Sequence, residues 1–180
     1  MRRLIVTEFV SLDGVMGEPQ EWSFPYWGDD IAKFKHEELF SSDIQLLGRK
    51  TYEAFAAAWP SRTGDYADRL NASPKHVVST TLKSVDWNNT HVVDGNVAEG
   101  VRAAKERSRG DILVHGSRSL VQGLTREGLV DEYRLLVYPL VLGSGLRLFD
   151  AGDAVKLTLT ESRVFDSGVT LLAYEPSRAA

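Results

Sequence analysis

Residues 44–53 read Ile44-Gln45-Leu46-Leu47-Gly48-Arg49-Lys50-Thr51-Tyr52-Glu53, a short apolar run, one glycine, then two cations and a hydroxyl. An apolar run of this length that stops at glycine reads as a buried strand. After it, Tyr52, Phe55, Ala56 and Trp59 fall on one face at helical spacing, which predicts a helix over 49–58. Strand, glycine turn and immediate helix form the repeating unit of an α/β layer fold.

Outward from this unit the same alternation continues. Strands are predicted over 3–10, 44–47, 75–79, 91–93, 111–115, 131–140, 155–163 and 169–175, and helices over 29–41, 49–58, 96–107 and 117–127. From Asp131 onward three strand-like runs follow one another with no helix between, and Asp166-Ser167-Gly168 offers a tight turn between the last two. The expected architecture is a three-layer α/β fold, a mixed and mostly parallel sheet flanked by helices and ending in antiparallel strands. No repeat, low-complexity tract or linker divides the 180 residues, so one domain over 1–180 is expected.

Composition narrows the function classes. The hydrophobic fraction of 43% and the charged fraction of 26% are those of a chain able to bury a core. The absence of cysteine rules out disulfides, thiolate metal sites and cysteine nucleophiles. Met1-Arg2-Arg3 leads straight into the first strand, and nothing there has the length of a signal peptide or membrane span, so a cytoplasmic protein is expected. A formal charge of −4 argues against binding nucleic acid through its phosphates. The one basic cluster, Arg102, Lys105, Arg107 and Arg109, lies on a helix striped by Val97, Val101 and Ala104 and reads as a solvated face. His36, His76, His91 and His115 show no metal-ligand spacing, and no Gly-x-Ser-x-Gly elbow is present.

Two strand-to-helix junctions have the makings of phosphate sites. Helix N-termini carry unpaired N–H groups and the positive end of the dipole, and Gly48 lets a ligand approach the start of the second predicted helix, beside Arg49, Lys50 and Thr51. Asp111-Ile112-Leu113-Val114-His115 ends in Gly116-Ser117-Arg118 with the same logic. One such junction is what any α/β turn requires; two on one parallel sheet can clasp a dinucleotide pyrophosphate. Ser79 and Thr80, at the end of the 75–79 strand, would join Arg49 and Lys50 around a 2′-phosphate, favouring NADPH over NADH, although an ordinary polar loop reads the same way. A Rossmann fold is disfavoured, because Val10-Ser11-Leu12-Asp13-Gly14 stands where Gly-x-Gly-x-x-Gly should follow the first strand.

On the helix beginning at Asp29, Trp27, Asp30, Ile31 and Phe34 share one arc. A carboxylate among apolar neighbours suits the binding of a protonatable nitrogen or the delivery of a proton; capping of the helix is the competing reading of Asp30. The aromatic run Trp22-Ser23-Phe24-Pro25-Tyr26-Trp27 would stack on a flat heterocycle or serve as core.

These segments resemble the dihydrofolate-reductase-like superfamily, and within it the reductase domain of bacterial riboflavin biosynthesis and its stand-alone relatives. The resemblance covers nearly the whole chain and is strongest in Gly128-Leu129-Val130-Asp131-Glu132-Tyr133-Arg134-Leu135, through Tyr138-Pro139-Leu140-Val141-Leu142-Gly143-Ser144-Gly145, to Leu148-Phe149. Gly48-Arg49-Lys50-Thr51-Tyr52-Glu53 is similar to the motif that opens the family's cofactor helix. Val114-His115-Gly116-Ser117 resembles its second phosphate turn, with Ser117 where the family has a second glycine.

The resemblance implies an NADPH-dependent oxidoreductase acting on a pyrimidine-like or pterin-like substrate. Gly48, Arg49, Lys50, Thr51, Ser79, Thr80, Gly116, Ser117 and Arg118 would hold the cofactor. Trp27, Asp30 and Phe34 would hold the substrate, with Asp30 at the position of the substrate-binding acid and catalytic. The loop from Ser11 to Gly17 resembles the family's mobile lid. No metal is expected, and a homodimer is, from the resemblance and from the exposed edges of a mixed sheet. The alternative from another class is a non-catalytic module that binds NADPH or a heterocycle as a sensor.

Overall fold

A computed structural model describes residues 2–93, 95–149 and 154–177. In chain order the elements are β1 (Leu4–Ser11), α1 (Pro19–Trp22), a 3-10 turn (Phe24–Tyr26), α2 (Asp29–Ser41), β2 (Ser42–Gly48), α3 (Arg49–Ala58), α4 (Asp65–Ala72), β3 (Lys75–Val78), β4 (Thr90–Val93), α5 (Val97–Arg107), β5 (Asp111–His115), α6 (Arg118–Arg126), β6 (Glu132–Tyr138), β7 (Leu157–Val164) and β8 (Thr170–Pro176). The strands form one sheet in the order β4-β3-β2-β5-β1-β6-β8-β7. The first six in that order run parallel, while β8 is antiparallel to β6 and β7 to β8.

The three expected layers follow from burial of both faces of the central strands, which is why those strands read as nearly continuous apolar runs. On one face Val6, Leu46, Ile112 and Val114 pack with Val101, Ala104, Val121 and Leu124 of α5 and α6. On the other, Ile31 and Phe34 of α2 pack with Leu136, Tyr138 and Leu171, and Tyr52 of α3 packs with Leu47, Leu70 and Val77. Among the described residues, no helix is long and apolar enough to cross a membrane.

Helices α1 and α4 and the 3-10 turn lie outside the predicted helices. Helix α4 is not predicted, because eight residues after Pro60 and Gly64, four of them polar, make only about two turns. It is held by Leu70, by Ala67, and by Lys75, whose buried ammonium donates to the carbonyls of Leu70 (3.0 Å), Asn71 (2.8 Å) and Ser73 (2.7 Å). Nor is the basic cluster wholly a solvated face: Arg102, Arg107 and Arg109 are exposed, but Lys105 is buried, donates to the Leu129 carbonyl (3.3 Å) and pairs with Asp131.

Because β5 lies between β2 and β1, the carboxyl ends of these three strands are neighbours. Register between β5 and β1 ends at the pair Thr7 and His115, whereas β1 stays paired with β6 as far as Ser11 and Tyr138. The two central strands therefore part at this edge of the sheet, where open α/β sheets bind ligands.

Candidate functional site

The two glycine junctions meet. Ser117 Oγ accepts the Gly48 amide N–H at 2.7 Å and lies 2.7 Å from Thr51 Oγ1. A Cβ on Gly48 would come within 2.6 Å of that hydroxyl, and one on Gly116 within 2.7 Å of Thr51 Oγ1, so glycine is required at both positions for the approach. Gly116 (φ 56°) and Ser117 (φ 65°) are both left-handed, a conformation that costs a serine about 1–2 kcal/mol. Ser117 thereby precedes α6 while its side chain reaches the first turn of α3. Of the expected cofactor residues, Gly48, Thr51, Gly116 and Ser117 come together at one point. The Gly48 amide is thus taken up by the Ser117 hydroxyl, and rotation about one side-chain bond would release it. Two glycines whose space a Cβ would fill, at the starts of two helices, fit an anionic group.

Beside it, Arg49 Nη1 donates to Thr81 Oγ1 (3.0 Å) and Arg49 Nε lies 3.7 Å from Glu53 Oε1. Ser79 Oγ accepts the amides of Thr81 (3.2 Å) and Leu82 (2.9 Å), folding the segment after β3 towards Arg49. The hydroxyl next to Arg49 is thus that of Thr81; Thr80 and Lys50 are exposed. Arg118 points elsewhere, donating from Nε to the Arg147 carbonyl at 2.8 Å.

The loop from Ser11 to Gly17, likened to a lid, is stitched to the late glycine segment. Asp13 accepts the amides of Leu142 (3.1 Å) and Gly143 (2.9 Å) and the Ser11 hydroxyl (2.6 Å), and Arg147 contacts both its carbonyl and its carboxylate. The Ser11 hydroxyl and then the Leu142 amide pull the Asp13 carboxyl down to about 2. Met16 donates its amide to the Leu146 carbonyl (2.8 Å), and Val15 forms a bridge with Arg147. Any closing motion must carry residues 142–147 with the loop.

The expected substrate residues lie along α2 and the turn before it. Trp27 is 45% exposed, with its ring 6.2 Å from that of Phe9 at the carboxyl half of β1. Phe34 is buried against Phe165 (5.9 Å) with the Arg163 guanidinium over it. Asp30 is not left among apolar groups: Oδ1 accepts the Ile31 amide (2.8 Å), and Oδ2 accepts the amide of Asp166 (2.7 Å) in the β7–β8 turn. The residue flanking α2 as its N-cap is Gly28.

Several buried ionisable groups at this edge escaped the sequence reading. On the α2 side, Thr7 Oγ1 donates to Glu38 Oε2 (3.0 Å), Lys35 donates to Thr7 (2.9 Å) and pairs with Glu38, and Arg134 reaches Glu38 Oε1 (3.3 Å). Burial opposes ionisation of Glu38, but Lys35 and Arg134 outweigh it and hold the carboxyl below its ordinary value. At the end of β5, His115 Nε2 lies 2.7 Å from Gln45 Oε1, and burial followed by the Lys35 charge push the imidazole down to about 3, against Glu38. Glu8, on the α6 side of β1, is pushed up to about 8 by burial, against the Lys35 charge and the Gly116 amide; its Oε1 is sealed without a partner. The available signal was Thr7-Glu8 inside an otherwise apolar central strand. Lys35 and Glu38 gave none, because their partner Arg134 is 96 residues from Glu38. No group of three or more metal-ligating side chains occurs among the described residues.

Comparison with known proteins bears on the family and the fold. The chain matches the family model described as the RibD C-terminal domain over residues 2–171. It is 30% identical over 180 residues to the uncharacterized protein YyaP of Bacillus subtilis strain 168, across 96% of this chain and 94% of that one. Among solved structures, a protein of Shewanella sp. PV-4 named for riboflavin biosynthesis superposes with a TM-score of 0.79 at 19% identity, covering 98% of this chain and 99% of its own. Dihydrofolate reductase from Enterococcus faecalis, complexed with NADP(H) and RAB-propyl, superposes with a TM-score of 0.64 at 15% identity, over 98% and 97%. At these identities the superpositions establish the dihydrofolate-reductase-like fold.

Proposed function

Because the chain belongs to the family of the RibD C-terminal domain, we propose that it is an NADPH-dependent reductase that delivers hydride to a pyrimidine-like or pterin-like heterocycle. The observation that carries this reading is the clasp of Ser117 with Gly48 and Thr51, which puts the N-termini of α3 and α6 side by side at the carboxyl edge of the sheet. Two helix N-termini converging there with the positive ends of their dipoles suit a pyrophosphate. Arg49, with Thr81 beside it, is placed to take a further phosphate on the ribose.

Bound NADPH would supply the hydride, and the protein supplies position and electrostatics. Gly48 and Gly116 allow backbone amides to approach the phosphates, while Arg49 discriminates for the phosphorylated ribose. Trp27 and Phe9 present aromatic faces on which a flat heterocycle can stack, and Asp30 offers its remaining lone pairs to N–H groups of the ring. A non-catalytic module that holds the same ligands is favoured by one observation, that both oxygens of Asp30 already serve backbone amides.

The testing experiment is fluorescence titration of the purified protein with NADPH and with NADH, in wild type and in Arg49→Ala. NADPH should bind, NADH should bind more weakly, and Arg49→Ala should erase most of the difference. Absence of binding by either cofactor overturns the reading. NADPH binding without turnover of any pterin or aminopyrimidine favours the non-catalytic module.

A further inference from the structure

A chain of hydrogen bonds fixes which nitrogen of His115 carries its proton. Ser42 Oγ donates its only proton to the Leu39 carbonyl at 2.7 Å, so towards Gln45 it can act only as an acceptor. Gln45 Nε2 is the group that donates to it, at 2.8 Å. This fixes the orientation of the Gln45 amide and turns Oε1, a pure acceptor, to His115 Nε2 at 2.7 Å. Nε2 therefore bears the hydrogen. In the neutral ring the lone pair is on Nδ1.

The surroundings keep the ring neutral. His115 ends β5 between Leu47 of β2 and Thr7 of β1, with Phe55 of α3 against it at 5.9 Å. Of the charged groups of α2, Lys35 opposes protonation and Glu38 favours it, and burial opposes it more than either. Nδ1 has no hydrogen-bond partner among the described residues and is not one of the polar atoms sealed from solvent. An acceptor on a largely buried ring, 8% exposed, thus stands at the point where β1 and β5 part, next to the Gly116 turn. It shares the α2 side of the sheet with Thr7, whose hydroxyl meets Lys35 and Glu38.

We propose that His115 Nδ1 is a specificity-determining acceptor that selects a heterocycle presenting an N–H group. The proposal rests on the reductase reading for the presence of a heterocycle, but the state of the ring does not. An imidazole held as the Nε2–H tautomer rewards an N–H donor and penalises an alkylated nitrogen, which would leave the lone pair desolvated and unpaired.

The test is nitrogen-detected NMR of the full chain labelled at histidine. The expected result is a single Nε2–H tautomer of His115 that stays neutral well below the ordinary histidine range. A proton on Nδ1, or an imidazolium at neutral pH, overturns the proposal without any ligand. The ligand arm uses 6-aminouracil, rich in N–H groups, and 1,3-dimethyl-6-(dimethylamino)uracil, which has none. With NADPH present, 6-aminouracil should shift the Nδ1 resonance and bind about fivefold or more weakly to His115→Phe, while the methylated probe should do neither. Equal behaviour of the two probes, or no response of Nδ1 to 6-aminouracil while NADPH binds, overturns the assignment of His115 alone. Failure of NADPH itself to bind overturns the reductase reading beneath it, while the tautomer result still stands or falls separately.

Discussion

Ser117 Oγ and the Gly48 amide nitrogen, 69 residues apart in sequence, lie 2.7 Å from each other and join the starts of α3 and α6. The relationship is tight enough to make a double substitution informative. In Gly48→Ala the new methyl would meet Ser117 Oγ at 2.6 Å and Ser117 Cβ at 2.8 Å, and a Cβ cannot rotate away. NADPH affinity should fall by about tenfold or more, equivalent to about 1.4 kcal/mol. Ser117→Gly alone removes a hydrogen bond worth about 1 kcal/mol but also relieves a left-handed serine that costs about as much, so its stability should stay within about 1 kcal/mol of wild type. Combining the two should restore much of the stability lost in Gly48→Ala. A double variant no more stable than Gly48→Ala, in denaturant titration, would show that the pair is not in contact.

Asp30 gives a second test, because it ties α2 to a turn 136 residues away. In Asp30→Asn one carboxylate oxygen becomes an NH2 group, which cannot accept both amides now served by Oδ1 and Oδ2. The expected loss is about 1 kcal/mol of stability, with faster hydrogen exchange at the Asp166 amide. Unchanged exchange there would refute the tether. If Asp30 also holds the substrate ring, heterocycle affinity should fall in addition, while NADPH affinity does not.

The layers were legible because strand and helix periodicities differ and the central strands are buried on both faces; the predicted bounds of α2 and α3 agree with the structure residue for residue. The glycine junctions were legible because a helix start after a strand needs small residues. What was not legible depends on long-range partners. Asp30 shared an apolar arc on the helical projection, but the projection has no knowledge of the Asp166 amide. Arg118 follows Ser117 in a motif that suggests phosphate, yet it is turned to the Arg147 carbonyl by the late glycine segment. The lid-like sequence of Ser11–Gly17 gave no sign that Asp13 would bind Leu142 and Gly143, which makes the two motifs one structural unit.

The triad of Lys35, Glu38 and Arg134 is assembled on the α2 face of the sheet, with Lys35 and Glu38 buried and Arg134 partly so, and its members are therefore not independent. Glu38→Leu would leave Lys35 without its carboxylate in the interior and deprive Arg134 of one of two. Breaking a buried ion pair by removing one partner costs about 3–5 kcal/mol. A loss of that size is expected in urea or thermal denaturation, and a much smaller loss in Lys33→Ala, whose pair with Glu37 is exposed. A Glu38→Leu protein as stable as wild type would mean that the cluster opens to water.

Glu8 predicts the pH dependence of stability. Its carboxyl has an ordinary value near 4.5 in the unfolded chain and about 8 when buried in the fold. Between these limits the unfolded state has lost the proton and the native state has kept it, so stability falls as pH rises and levels off above about 8. His115 acts in the opposite sense, since its depressed value removes stability as pH falls from 6.5 towards about 3. The two slopes oppose each other between pH 4.5 and 6.5, and Glu8 acts without that opposition from there to about 8. Glu8→Gln, which keeps the size of the side chain without its charge, should flatten the stability curve in that window. Its advantage over wild type at the upper end should be on the order of a few kcal/mol. Denaturation midpoints across the window decide the matter, and a wild-type curve that Glu8→Gln leaves unchanged would place the proton elsewhere.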